Sequence, residues 1–148
     1  MAFLTSLDVS ASALTAQRLR MDVISQNIAN ANTTRTEEGG EATPYRRKVV
    51  VFQPQEKEPF SAFLSAEKSQ FSGAGVKVTQ IEEDPSPFKL MYEPGHPDAD
   101  EDGYVRLPNV DIVKEMTDMI SATRSYEANV TAINAAKSMA LKALEISK

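Results

Sequence analysis

Two stretches free of glycine and proline, one at each end of the chain, constrain this sequence more than any other feature. Residues 5–31 carry Leu7, Leu14, Met21 and Ile28 at intervals of seven. Leu4 and Ala11 stand three before the first two, and Ile24 and Ala31 three after the last two, which traces one apolar stripe along a helix. Residues 109–147 carry two more rows, Ile112, Met119, Tyr126, Ile133 and Ala140, and Met116, Thr123, Val130, Lys137 and Leu144. At about 1.5 Å per residue the two helices would run roughly 40 and 57 Å, well beyond an average globular helix.

The ends and the middle differ in composition. All six glycines and seven of the eight prolines fall within residues 37–103, together with fourteen acidic and seven basic residues. The net charge of −5 therefore belongs to the middle, and the ends are nearly neutral. The expected division is an N-terminal helix over 1–34, an acidic β-rich middle with loops over 35–108, and a C-terminal helix over 109–148. The expected fold is α+β and mainly α, its terminal helices paired roughly antiparallel as a coiled coil with a small Pro/Gly-rich β element inserted between them.

Local signals refine this plan. Thr5-Ser6-Leu7-Asp8 fits a capping box for the first helix. Pro108, Asn109 and Asp111 mark the start of the last, with Asn109 as the expected N-cap. Strands are expected over 45–52, ending before Pro54, and over 76–81, 88–92 and 103–107. Arg46-Arg47-Lys48 reads as the exposed face of an edge strand rather than a nucleic-acid patch on an otherwise acidic middle. Residues 53–72 have no clear period and read as a loop.

Several function classes are excluded or weak. Without cysteine there is no disulfide, zinc-thiolate site or thiol nucleophile, and a single histidine rules out a multi-histidine metal centre. The start of the chain lacks a basic, apolar secretory signal, and the longest uncharged runs are nine residues, too short to span a bilayer. No G-x-S-x-G elbow, P-loop or G-x-G-x-x-G is present. His96, held between Pro94 and Pro97, reads as a hydrogen-bonded turn residue. Asp98, Asp100 and Asp102, followed by Gly103, match the opening of a calcium loop, but position twelve is Asn109 where a bidentate Glu is needed. The alternative function is a self-contained helical module binding calcium or a small ligand through residues 98–109. No cofactor, nucleic-acid binding or membrane insertion is expected.

Two apolar-striped helices at the ends of a short chain bury their stripes against each other, and their surplus faces need further partners. Leu7, Leu14, Met21, Ile28, Asn27, Asn30, Ile112, Met116, Met119, Tyr126, Asn129, Val130, Ile133 and Leu144 are the expected assembly-interface residues. In the isolated chain such thinly covered helices are expected to be marginal.

Ser25-Gln26-Asn27-Ile28-Ala29-Asn30-Ala31-Asn32-Thr33 resembles the N-terminal signature of the axial proteins of the bacterial flagellum. The run Tyr92 to Val110, containing Pro94-Gly95-His96-Pro97 and Asp98 to Asn109, resembles basal-body rod proteins of that family, and Glu115-Met116 and Arg124 to Asn129 continue the likeness. The resemblance implies a non-enzymatic subunit of the proximal rod. Its partners would be other rod proteins, copies of itself and the flagellar type III export apparatus, which would export it without a cleaved signal. Its place would be a periplasmic tube, the drive shaft of the basal body, with both terminal helices in the inner layer. Polar Gln17, Gln26, Asn27, Asn129 and Asn134 would then fix register across subunits.

Overall fold

The computed structural model describes residues 2–36, 43–55 and 75–146; most of the loop expected over 53–72 lies outside them. It is mainly helical, with two small antiparallel strand pairs between the helices. The order is α1 (Ala2–Ala29), β1 (Lys48–Pro54), β2 (Val76–Glu83), β3 (Lys89–Tyr92), β4 (Tyr104–Leu107) and α2 (Ile112–Ile146). Strand β1 pairs with β2 and β3 with β4, so the single expected β element is two separate two-stranded sheets.

The helix starts differ from expectation at both ends. Helix α1 is already formed at Ala2, which puts Thr5 inside the helix rather than at its cap. Helix α2 is capped by Asp111, not Asn109: Asp111 Oδ1 accepts from the amides of Val113 (3.0 Å) and Lys114 (3.4 Å). The carboxylate satisfies donors left orphan by the first turn and faces the positive end of the helix dipole. Asn109 is drawn away by the backbone of the middle segment, and Pro54 closes β1 rather than following it.

The helices run in opposite directions. Asn27 meets Glu115, Arg20 meets Asp118 at 3.4 Å, and the Thr123 hydroxyl lies 3.6 Å from the Met21 sulfur. The centre of their contact is not the row of large apolar residues. Helix α1 buries Ala16, Val23, Ile24 and Asn27, while α2 buries Glu115, Ala122 and Ala136, which are spaced by multiples of seven. Leu7, Leu14, Met21 and Ile28 are half-buried along the flank, as are Met119, Tyr126, Val130 and Ile133. Ala16, Ala122 and Ala136 share the centre with Val23, Ile24, Asn27 and Glu115, and the largest apolar side chains lie along the flanks. The described apolar core is accordingly thin: half of its eight buried residues are alanines.

The strands lean on α1 at one tight point. Ser12 Oγ donates to the Val9 carbonyl (2.7 Å) and accepts from the Val76 amide (3.1 Å), anchoring the start of β2. Gly75 is required there, since a Cβ would stand 2.4 Å from Ser12 Oγ. Pairing of β1 with β2 shifts between Val51↔Gln80 and Phe52↔Val78, leaving Thr79 as the extra residue of a bulge. In the second sheet Val105 is the buried residue, and Gly103 turns the chain into β4 at φ +81°, a left-handed conformation that favours glycine.

A buried polar network ties these parts together. Asn27, 1% exposed, uses its whole hydrogen-bonding capacity. Its Nδ2 donates to the Lys48 carbonyl (2.8 Å) and to Glu115 Oε2 (3.0 Å), and its Oδ1 accepts from the Lys48 amide (3.0 Å) and the Tyr45 hydroxyl (2.9 Å). The Asn27 amide thus bonds Lys48 as a neighbouring strand would. Arg47 Nε and Nη2 reach Glu115 Oε1 at 2.8 and 2.7 Å, and Nη1 reaches Asp84 at 3.3 Å. Asn109 then inserts as a rung between Arg47 and Asp84. Its Oδ1 accepts from the Arg47 amide (2.8 Å) and its Nδ2 donates to the Asp84 carbonyl (3.1 Å). Arg47, expected on an exposed strand face, is the hub of the fold because three carboxylates converge on it. Burial lowers its pKa, but Glu115 and Asp84 outweigh that and hold it above its ordinary value. Burial first, and then Glu115 and Glu83, raise the Tyr45 phenol.

Removing Glu115 takes the nearest carboxylate from the half-buried Arg47 guanidinium and leaves one donor of the buried Asn27 amide without its partner. Glu115→Ala is expected to lower stability by about 3–5 kcal/mol, and Glu115→Gln by less, since it keeps an acceptor on the same stem. Urea denaturation of both variants checks the order. Acid acts through two other carboxylates. The Ser86 hydroxyl and amide, helped by Arg47, hold Asp84 below its usual range, and Thr34 and Arg35 do the same for Asp98. Both bind protons less readily folded than unfolded. The stability they contribute is therefore complete above the ordinary value of 3.8 and is lost as pH falls below it. Urea midpoints should be flat between pH 7 and 5 and fall toward pH 3, with a shallower fall in Asp98→Asn.

Candidate assembly surface

The apolar side chains that α1 leaves uncovered are concentrated on α2. Near its start Ile112, Val113, Met116 and Ile120 are exposed, Val113 to 74%. Near its end Met139, Leu141 and Leu144 are exposed, Leu144 to 69%. Helix α2 has 35 residues against 28 in α1, an excess of about 10 Å in length. Large apolar residues exposed along both ends of one helix form a surface suited to covering by another protein.

The expected interface residues fall into three groups. Ile112, Met116 and Leu144 are exposed and available. Leu7, Leu14, Met21, Ile28, Met119, Tyr126, Val130 and Ile133 are half-buried along the seam between the helices, so each presents only part of its surface outward. Three asparagines are engaged within the chain. Asn27 belongs to the buried network, and the Asn30 and Asn129 side-chain amides donate to the Gln26 and Ser125 carbonyls one turn earlier. Asn27, expected to fix register between subunits, has its whole amide engaged within the chain. Gln17 is different: its Oε1 is buried and has no hydrogen-bond partner among the described residues.

Val113, Ile120, Met139 and Leu141 were not expected at the surface. Their signal was present as the spacing Val113, Met116, Ile120, a second stripe on the opposite side of the same helix. Heptad rows chosen by size alone pass over it.

The acidic turn is organised by protein groups. Asp98 accepts from Thr34 Oγ1 (2.8 Å) and pairs with Arg35, while Asp100 lies 3.7 Å from Arg106. His96 Nδ1 accepts from the Asp98 amide (3.1 Å), the turn role expected of it. Among the described residues no group of three His, Asp or Glu side chains is arranged to hold a metal ion. Arg35 and Thr34 fasten the turn to the segment that follows α1, which gives the Asp98 carboxylate a structural use and leaves the calcium alternative without support. A cavity of about 250 Å³ beside Arg47 is lined by Arg20, Val23, Asn27, Glu115 and Asp118, whose polar groups already bond one another. No described helix is long and apolar enough to cross a membrane.

Two family matches lie over the terminal helices, and relatives match nearly the whole chain. Residues 7–35 match the family described as flagella basal body rod protein, and residues 101–146 match the family described as flagellar basal body rod FlgEFG protein C-terminal. The flagellar basal-body rod protein FlgC of Bacillus subtilis (strain 168) is 58% identical, with 97% of each chain covered. That of Borreliella burgdorferi is 51% identical over 99% of this chain and 98% of its own, and that of Salmonella typhimurium 45% over the same shares. At this identity along nearly the whole length, the chain belongs to the family of the flagellar basal-body rod protein FlgC.

Proposed function

We propose that this chain is a structural subunit of the proximal rod of the bacterial flagellar basal body. It polymerises through its terminal helices into the tube that transmits torque across the periplasm. The observation that carries the reading is the uncovered apolar surface of α2, Ile112 to Ile120 and Met139 to Leu144, on a helix pair whose own buried centre has only Val23 and Ile24 as apolar side chains larger than alanine. Burying such surface is worth about 25 cal/mol per Å², so neighbours that cover it stabilise each subunit as they join. Residues 1–34 and 109–148 form the coiled-coil element in this reading, and residues 35–108 a separate acidic face. The partners are other rod proteins and further copies of the chain. Delivery runs through the flagellar type III export apparatus with no cleaved signal, and the chemistry of the subunit is packing rather than catalysis.

Two exposed positions test the interface without touching the core. Met116→Asp and Leu144→Asp are expected to leave the isolated protein's helicity and urea midpoint unchanged, because both side chains face solvent. In a strain carrying either as its only copy, rod assembly and swimming should fail. Normal swimming of both strains would remove α2 from the interface.

A further inference from the structure

Strand β3 is bare along one side. The Glu93 amide donates to the Gly103 carbonyl (3.0 Å), which makes Met91 and Val105 the next mutually bonded pair of the β3–β4 ladder. The amides and carbonyls of Leu90 and Tyr92 therefore point away from β4, and no described residue bonds them. All four residues of β3 are exposed, Leu90 to 66% and Tyr92 to 63%. The outer side of β4 is better covered, since the Tyr104 carbonyl accepts from the Asp100 amide at 2.8 Å. Strand β2 carries a bulge at Thr79, a device that discourages edge pairing.

We infer that the free edge of β3 pairs with the β3 edge of a second copy of this chain, joining the two small sheets into one four-stranded antiparallel sheet. The residues argue for this occupant because the strand is complementary to itself. With Met91 opposite Met91 of the partner subunit on the two-fold axis, Leu90 faces Tyr92 of the partner subunit, and four backbone hydrogen bonds form between groups that otherwise face water. Lys89 then lies opposite Glu93 of the partner subunit, and the reverse, so both flanking pairs are of opposite charge. These flanking pairs are of the closely spaced kind, in which side chains approach most nearly. Leu90 and Tyr92 of both copies share one face, continued on each side by Tyr104, whose ring meets Tyr92 edge to face at 5.3 Å. A two-fold contact closes at two copies. It belongs to the free chain rather than to a polymer in which all subunits point one way.

The test is amide hydrogen exchange and sedimentation equilibrium on the full-length protein between about 10 μM and 1 mM, a range that brackets weak association. The expected result is a monomer–dimer equilibrium in which the Leu90 and Tyr92 amides become protected as concentration rises while Met91 stays protected throughout. Leu90→Pro removes an outward amide without removing a β3–β4 bond and should abolish the dimer. Glu93→Lys, which leaves the backbone alone and serves if the proline disturbs the hairpin, sets like charges opposite each other and should weaken the dimer by about three- to tenfold. A monomer at 1 mM overturns the inference. So does a dimer that forms with no change at the two amides, which would place the contact on the terminal helices.

Discussion

The fold depends on one buried charge cluster, Arg47 held between Glu115 and Asp84 and joined through Glu115 to Asn27. Each member comes from a different part of the chain: the first helix, the residue before the first strand, the turn after the second strand and the last helix. Apolar contact alone would leave these parts free to slide, because the buried centre of the helix pair has only Val23 and Ile24 as apolar side chains larger than alanine and offers little shape to lock a register. Directional bonds at fixed distances do what shape does not. Buried ion pairs often add little net stability compared with an apolar replacement, yet they penalise every arrangement in which a partner is missing. The network is best understood as choosing one arrangement of helices and strands over its neighbours.

Its second effect is on the sheets. Two-stranded ribbons are marginal in water, and here the first is completed at its Lys48–Glu83 end by side-chain amides instead of further strands. Asn27 bonds the amide and carbonyl of Lys48 on the open side of β1, and Asn109 supplies a rung between Arg47 and Asp84. Both asparagines sit next to a helix terminus, so the same residues that end or precede a helix also finish the sheet. This explains why Asn109 does not cap α2. Its amide is worth more bridging two backbone segments, and Asp111, two residues on, is free to serve the helix.

The sequence made the element plan legible and the phase of the helix contact illegible. Period and the absence of Gly and Pro located both helices, and β-branched runs between turn residues located all four strands to within a few positions. The phase failed for a physical reason. Reading Leu7, Met21 and Ile28 as the centre assumes that the largest apolar residues occupy the middle of a contact, whereas Ala16, Val23, Asn27, Glu115 and Ala122 do so here. The Arg47–Glu115 pair spans 68 residues, and nothing local marks either partner. The exposed stripe of Val113, Met116 and Ile120 could have been found, because its spacing is visible once each apolar residue is placed on the helix surface and not only in the densest row.

Displacement of large side chains from the centre to the flanks links this packing to polymerisation. A chain that buried Met116, Ile120 and Leu144 internally would be sturdier alone and would present little to neighbours. With Ile112, Val113, Met116, Ile120, Met139, Leu141 and Leu144 exposed on α2, apolar area remains that other subunits can cover. Anything that binds the folded form and not the unfolded one shifts stability by mass action. By that linkage, neighbours that cover Met116, Ile120 and Leu144 would raise the stability of the helix they pack on.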